Sequence, residues 1–133
     1  MGMVTCDADN GAGERTRRVL VVDDEPMVAT AVAEYLEAVA DALEVVHTTA
    51  PTTALERLDG SFDCVVTDYE MPQLDGLTLI DRAETDAAFV VFSGVDDKSV
   101  AQQARDRGAI FVSKGAGTDQ YDELATLVCE QVT

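Results

Sequence analysis

The sequence predicts an α/β fold, with five parallel strands in one sheet and helices packed on both of its faces. Three observations carry this. Short apolar runs recur along the chain, and each is followed by a stretch with helical spacing. The runs are continuous rather than alternating, as strands buried on both faces require. The length, 133 residues with 47% hydrophobic, matches about one domain with a real core.

The elements follow in order. Residues 1–16 contain Gly2, Gly11, Gly13, Asp7, Asp9 and Asn10 without periodicity, and read as a disordered tail ahead of one domain over 17–132. Val19–Val22 is an apolar run ending in acids, the first strand. Pro26 suits a helix first turn, and Met27, Val28, Ala31, Val32, Tyr35, Leu36 and Val39 form one apolar face behind it. Leu43–His47 is the second strand, with a short helix over 52–58. Phe62–Thr67 is the third strand, with a helix over 76–84 carrying Leu77, Leu79 and Ile80. Ala88–Phe92 is the fourth, and a weakly amphipathic helix over 96–107 ends at Gly108. Ile110–Val112 is the fifth, and a last helix over 118–131 turns Tyr121, Leu124, Ala125 and Val128 inward.

Composition removes several functions. Nine basic residues against 26 acidic ones give a net charge of −17. Such a surface repels phosphate backbones and anionic lipid, so no nucleic acid or membrane partner is expected for this domain. Seven arginines beside only Lys98 and Lys114, in so acidic a chain, resemble adaptation to molar salt, where self-repulsion is screened. The longest apolar run, Ala87 to Phe92, is far too short to span a bilayer. Cys6, Cys64 and Cys129 have no metal-ligand spacing and are odd in number, which points to a reducing, cytoplasmic setting. Cys64 reads as a small core hydrophobe.

In sheets of this kind ligands bind outside the carboxyl ends of the strands. There stand Asp23, Asp24 and Glu25 after strand one, and Asp68 after strand three. Ser93 and Gly94 follow strand four, and Lys114 strand five. Gathering Asp23, Asp24 and Asp68 in one cleft is costly without a cation, and hard oxygen donors suit Mg2+. Lys114 offers a point charge and Ser93 a donor to a phosphoryl group. Asp68 is the candidate nucleophile, able to form an aspartyl phosphate. The same residues also suit blander roles. Asp23 and Asp24 suit helix caps, and Asp75 a turn or cap. His47 suits a solvated strand end, Tyr35 and Tyr121 the core, and Tyr69 a partly exposed loop.

The sequences Val-Leu-Val-Val-Asp-Asp-Glu-Pro (19–26) and Val-Val-Thr-Asp-Tyr-Glu-Met-Pro-Gln-Leu-Asp-Gly (65–76) resemble a response-regulator receiver domain of two-component signalling, chemotaxis regulators included. So do Val-Phe-Ser-Gly (91–94) and Phe-Val-Ser-Lys (111–114), and the likeness covers about 17–132. It implies a flavodoxin-like sheet of order 2-1-3-4-5. It also implies phosphotransfer to Asp68 from a sensor histidine kinase or phosphotransfer histidine. By the same likeness Asp24 and Asp68 ligate Mg2+ directly, Asp23 largely through water, and the Glu70 carbonyl adds a ligand. Ser93 and Lys114 bind phosphoryl oxygens, and phosphorylation draws Ser93 inward and buries Phe111, with the α4–β5–α5 face as readout. Met71-Pro72 and Asp75-Gly76 shape the loop after the acceptor.

Gly115 stands where the family usually has a cis proline after the lysine, so a trans bond and a different local loop are expected. Such a domain is a signalling module, not an enzyme, beyond its own phosphorylation and dephosphorylation. Two other classes stay open: an unphosphorylated scaffold, and an aspartate-nucleophile phosphatase of the haloacid dehalogenase type. The latter wants a second Asp two positions after its nucleophile, where Glu25 or Glu70 stands instead. No output domain follows Val132, which fits either a stand-alone receiver or a piece of a longer regulator, with the downstream target unspecified.

Overall fold

The computed structural model describes residues 16–40, 43–58, 60–94, 98–115 and 119–132. Five strands and five helices alternate: β1 (Arg17–Val22), α1 (Pro26–Val39), β2 (Leu43–Thr48), α2 (Pro51–Arg57), β3 (Cys64–Thr67), α3 (Gly76–Arg82), β4 (Ala88–Ser93), α4 (Lys98–Asp106), β5 (Ile110–Ser113) and α5 (Asp119–Val132). All pairings are parallel, and the order is β2-β1-β3-β4-β5. This is the flavodoxin-like arrangement the motifs implied.

The sheet's period of two splits the core into two layers. Val19, Val21, Cys64, Val66, Val90, Phe92 and Val112 pack with Leu36 of α1 and Leu124 and Val128 of α5. Leu20, Val22, Val65, Phe89 and Val91 face the other way, toward Ala54, Leu77, Leu79 and Ala104 of α2, α3 and α4. Both faces of the central strands are covered, which is why their sequences are continuously apolar.

Some boundaries and faces differ from expectation. β3 begins at Cys64, not at Phe62. Phe62 is buried in the approach to the strand, with the Arg18 guanidinium 4.3 Å from its ring centre, and Asp63 Oδ2 accepts from the Arg18 amide. α3 stops at Arg82, where the Ala83 amide closes the last turn on Leu79. On α1 the buried stripe runs through Ala29, Val32, Ala33 and Leu36, spaced i, i+3, i+4, i+7. Met27 and Ala31 lie off that stripe, and Met27 is 84% exposed.

Tyr35 and Tyr121 sit at the rim of the α1–α5 core, half-buried, with rings 5.7 Å apart; the Tyr35 hydroxyl donates to Asp122. His47 is exposed at the end of edge strand β2, as expected. Arg107, just past α4, donates to both Asp81 oxygens of α3 at 2.9 and 3.1 Å. Cys64 and Cys129 are buried, and burial pushes the Cys64 thiol up to about 12, so it packs as an apolar group. Residues 1–15 of the expected 1–16 tail, Cys6 among them, residues 96–97 and Thr118 lie outside the described residues.

Candidate functional site

Three backbone hydrogen bonds prolong the sheet past its strand ends and set the site's frame. The Asp23 amide donates to Thr48 O at 3.2 Å, the Asp68 amide to Val22 O at 2.9 Å, and the Lys114 amide to Ser93 O at 2.8 Å. Counting by twos from the core residues of each strand, Asp23, Asp68 and Lys114 all fall on the α1–α5 side. Alternation alone therefore brings three charges from three strands to one rim.

The side chains meet there. One ligand atom each from Asp23, Asp24 and Asp68 lies within 4.8 Å of the others. Lys114 Nζ donates to Asp23 Oδ2 at 2.9 Å and stands 3.7 Å from Asp68 Oδ1. It also lies 5.5 Å from the ring centre of Phe92, which props the ammonium on the core. Asp23 is buried, and its Oδ1 accepts from the Glu25 amide at 3.0 Å. Asp68 is half-buried, and its Oδ1 accepts from the Tyr69 amide at 2.8 Å. Its carboxyl is raised above the ordinary value, chiefly by burial. Lys114 opposes the rise, and Asp23 and Asp24 add to it. A carboxylate crowded by two others and held by one ammonium is a site short of positive charge. All-oxygen donors around such a deficit fit a small hard divalent cation.

The cleft over these acids is lined by Asp24, Glu25, Asp68, Tyr69, Glu70, Met71, Pro72, Asp75, Ser93, Gly94 and Lys114. Ser93 is buried at the end of β4, and Phe111 half-buried on β5. Ser93 pairs with Ser113 and Phe111 with Val91, so both belong to the α4-side face of the sheet. Glu70 and Tyr69 stand in the loop after β3, exposed and half-buried respectively.

Capping does not account for the acid pair: α1 is capped at Glu25 without a side-chain bond, and neither Asp23 nor Asp24 caps it. Asp75 does cap α3, its Oδ1 accepting from the Thr78 amide at 2.8 Å. Among the described residues no peptide is cis, and Lys114–Gly115 is trans. Two features around Asp68 have no signal in the local sequence. Gln73 has φ 77°, a left-handed backbone with no local pattern to announce it. Thr67, read only as a strand residue, turns its buried hydroxyl onto the Asp68 carbonyl oxygen at 2.9 Å.

A flavodoxin-like sheet with an acidic trio, a hydroxyl and a lysine at its carboxyl rim defines a class, and the comparisons identify it. Residues 19–125 match the model of the response regulator receiver domain, and the chain belongs to that family. The first 100-residue match among curated proteins is 37% identical to a protein-glutamate methylesterase/protein-glutamine glutaminase of Anaeromyxobacter dehalogenans, covering 71% of this chain and 28% of that protein. The transcriptional regulatory protein FlgR of Helicobacter pylori is 34% identical over 58% of this chain and 20% of its own length. The chain thus spans under a third of these relatives. Among solved structures, the non-phosphorylated HemR receiver domain of Leptospira biflexa aligns with TM-score 0.74 at 24% identity, covering 88% of this chain and 94% of that one. The response regulator TrrA of Thermotoga maritima, in complex with Mg(2+)-BeF, aligns with TM-score 0.69 at 24% identity, covering 85% and 99%. These structures share its fold. No described helix is long and apolar enough to cross a membrane.

Proposed function

We propose that the domain over 17–132 is a phosphoacceptor switch that takes a phosphoryl group on Asp68 from a sensor histidine kinase or a phosphotransfer protein. The observation that carries this is the convergence of Asp23, Asp24 and Asp68 within 4.8 Å of one another, with Lys114 beside them. In the transfer a carboxylate oxygen of Asp68 attacks phosphorus. The P–N bond to the donor imidazole breaks, its electron pair stays on nitrogen, and an acyl phosphate forms. Lys114 stands 3.7 Å from Asp68 Oδ1, within a small shift of an arriving phosphoryl oxygen. To reach it, the ammonium trades part of its bond to Asp23. Ser93 supplies a hydroxyl from the end of β4. Asp23, Asp24, Asp68 and the Glu70 carbonyl would hold Mg2+, which when bound supplies positive charge against the incoming phosphoryl group. The all-oxygen donor set and its charge deficit support that choice of metal.

Ser93 and Phe111 share the α4-side sheet face, so an inward pull on Ser93 reaches the half-buried ring of Phe111 and the packing under α4. The readout surface is α4–β5–α5. α4 buries only Val100, Ala101 and Ala104, a thin attachment suited to displacement. A downstream protein or a linked output domain reads that face, in the cytoplasm.

The test is incubation with acetyl phosphate and Mg2+ followed by intact mass. One hydroxylamine-sensitive phosphoryl group is expected on the native chain and none on Asp68→Asn. Undiminished incorporation in the variant moves the acceptor elsewhere, and none on the native chain leaves the unphosphorylated scaffold. On addition of beryllofluoride, amide shifts should concentrate in residues 96–121; an unmoved 96–121 segment rejects the α4–β5–α5 readout.

A further inference from the structure

Beside the acceptor lies a buried hydroxyl that the transfer chemistry does not use. Thr67 ends β3 with its side chain sealed from solvent, and Oγ1 donates forward to the Asp68 carbonyl oxygen at 2.9 Å. That same oxygen is the atom a Cβ at position 76 would strike, at 2.4 Å. The oxygen is therefore gripped from two sides, by a donor on β3 and by the bare Cα of Gly76 at the start of α3. Gly76 is itself tied to the loop, its amide donating to Tyr69 O at 2.8 Å.

The gripped carbonyl belongs to the Asp68–Tyr69 peptide, and the N–H of that peptide donates to Asp68 Oδ1 at 2.8 Å. A peptide unit is planar, so holding its oxygen also aims its N–H. Oδ1 further faces Lys114 Nζ at 3.7 Å. With Oδ1 held in this way, the second carboxylate oxygen is the one presented for bond formation. The sheet has no need of a hydroxyl here. Val65 and Val66 fill the preceding positions of the strand, and burying a hydroxyl costs free energy that a valine of the same shape avoids. The carbonyl it holds accounts for its presence.

We infer that Thr67, with Gly76 as the opposing wall, is a positioning residue for Asp68: its hydroxyl locks the Asp68–Tyr69 peptide so that one carboxylate oxygen is held and the other is offered to the phosphoryl donor. This rests on the phosphoacceptor reading given above and deepens it.

Thr67→Val keeps the shape and removes the hydroxyl; Thr67→Ser keeps the hydroxyl and removes the methyl. Two quantities are measured: the phosphorylation rate constant with acetyl phosphate at saturating Mg2+, and hydrogen exchange of the Tyr69 amide in metal-free protein. Thr67→Val should slow phosphorylation about tenfold or more, the scale on which small misplacements of a reacting group act. Its Tyr69 amide should exchange faster. Thr67→Ser should restore both. A native rate and a native Tyr69 amide in Thr67→Val overturn the inference. A Thr67→Ser variant as slow as Thr67→Val also overturns it, assigning the effect to methyl packing. If Thr67→Val does not fold, Thr67→Ala gives the same two readouts without the branched methyl. A native chain that accepts no phosphoryl group defeats the phosphoacceptor reading itself, whereas a phosphorylated native chain with an equally fast Thr67→Val defeats only the role of Thr67.

Discussion

Replacing Lys114 with methionine isolates what the ammonium does for the resting fold. Its Nζ is 2.9 Å from Asp23 Oδ2, with the Asp23 side chain 5% exposed and that of Lys114 22% exposed. Removing one partner of a fully buried pair costs about 3–5 kcal/mol, because the remaining charge stays desolvated. The partial exposure of the lysine and the amide bond from Glu25 to Asp23 Oδ1 reduce that to about 2–3 kcal/mol. For a domain of this size the melting temperature should fall by about 6–12 °C in EDTA. Mg2+ should then recover much of the loss, since a cation among the three carboxylates replaces the missing charge and binds only the native state. The pH dependence has a definite sign. Asp68 is already raised from 3.8, mainly by burial and against the pull of Lys114. The penalty for ionising it is therefore absent below the ordinary carboxylate range, and is felt in full once pH exceeds the native pKa. Losing Lys114 enlarges that penalty, so the deficit should shrink toward acid pH. Thermal unfolding by circular dichroism in EDTA and in Mg2+, at neutral and acid pH, measures all of this. A variant as stable as the native chain in EDTA, or a deficit untouched by Mg2+, refutes the argument.

Four further outcomes follow from the same geometry. Asp68→Asn should raise the melting temperature at neutral pH without metal, and the gain should vanish below the ordinary carboxylate range, as the raised Asp68 carboxyl requires; a pH series of melts checks the sign. Asp24→Ala should weaken Mg2+ binding about tenfold or more by titration calorimetry, by the scale on which metal-site substitutions act, and unchanged affinity would remove Asp24 from the site. Gln73→Gly relieves the φ 77° backbone, and chemical denaturation should show a net gain of about 0.5–1 kcal/mol after glycine's own entropy cost. At −17, the melting temperature should rise from tens of millimolar to molar KCl, and Asp24→Ala should keep most of that response while losing the Mg2+ response; a flat or falling midpoint rejects salt adaptation.

The strands, their parallel direction and the rim where the charged side chains gather all follow from local sequence pattern. Apolar runs such as Val19–Val22 and Ala88–Phe92 are local signals, and their period of two decides which face each residue takes once a strand forms. The acids at 23, 24 and 68 and Lys114 were legible because each directly follows a strand, where a parallel sheet gathers its carboxyl ends. Local pattern could not tell that Lys114 rests on Asp23, 91 residues away, rather than midway among the acids. Nor could it tell that the Tyr35 hydroxyl finds Asp122, or that Arg107 forks onto Asp81. Met27 falls outside the core because helical spacing admits two neighbouring stripes, and only packing against β2 and α5 chose the one through Ala29. Thr67 and Gly76 show the limit most clearly. One looks like any β-branched strand residue and the other like any helix start, and their shared hold on the Asp68 carbonyl exists only once the loop has closed. Periodicity is set by each residue's near neighbours along the chain, whereas such a grip is set by groups that only the finished fold brings into contact.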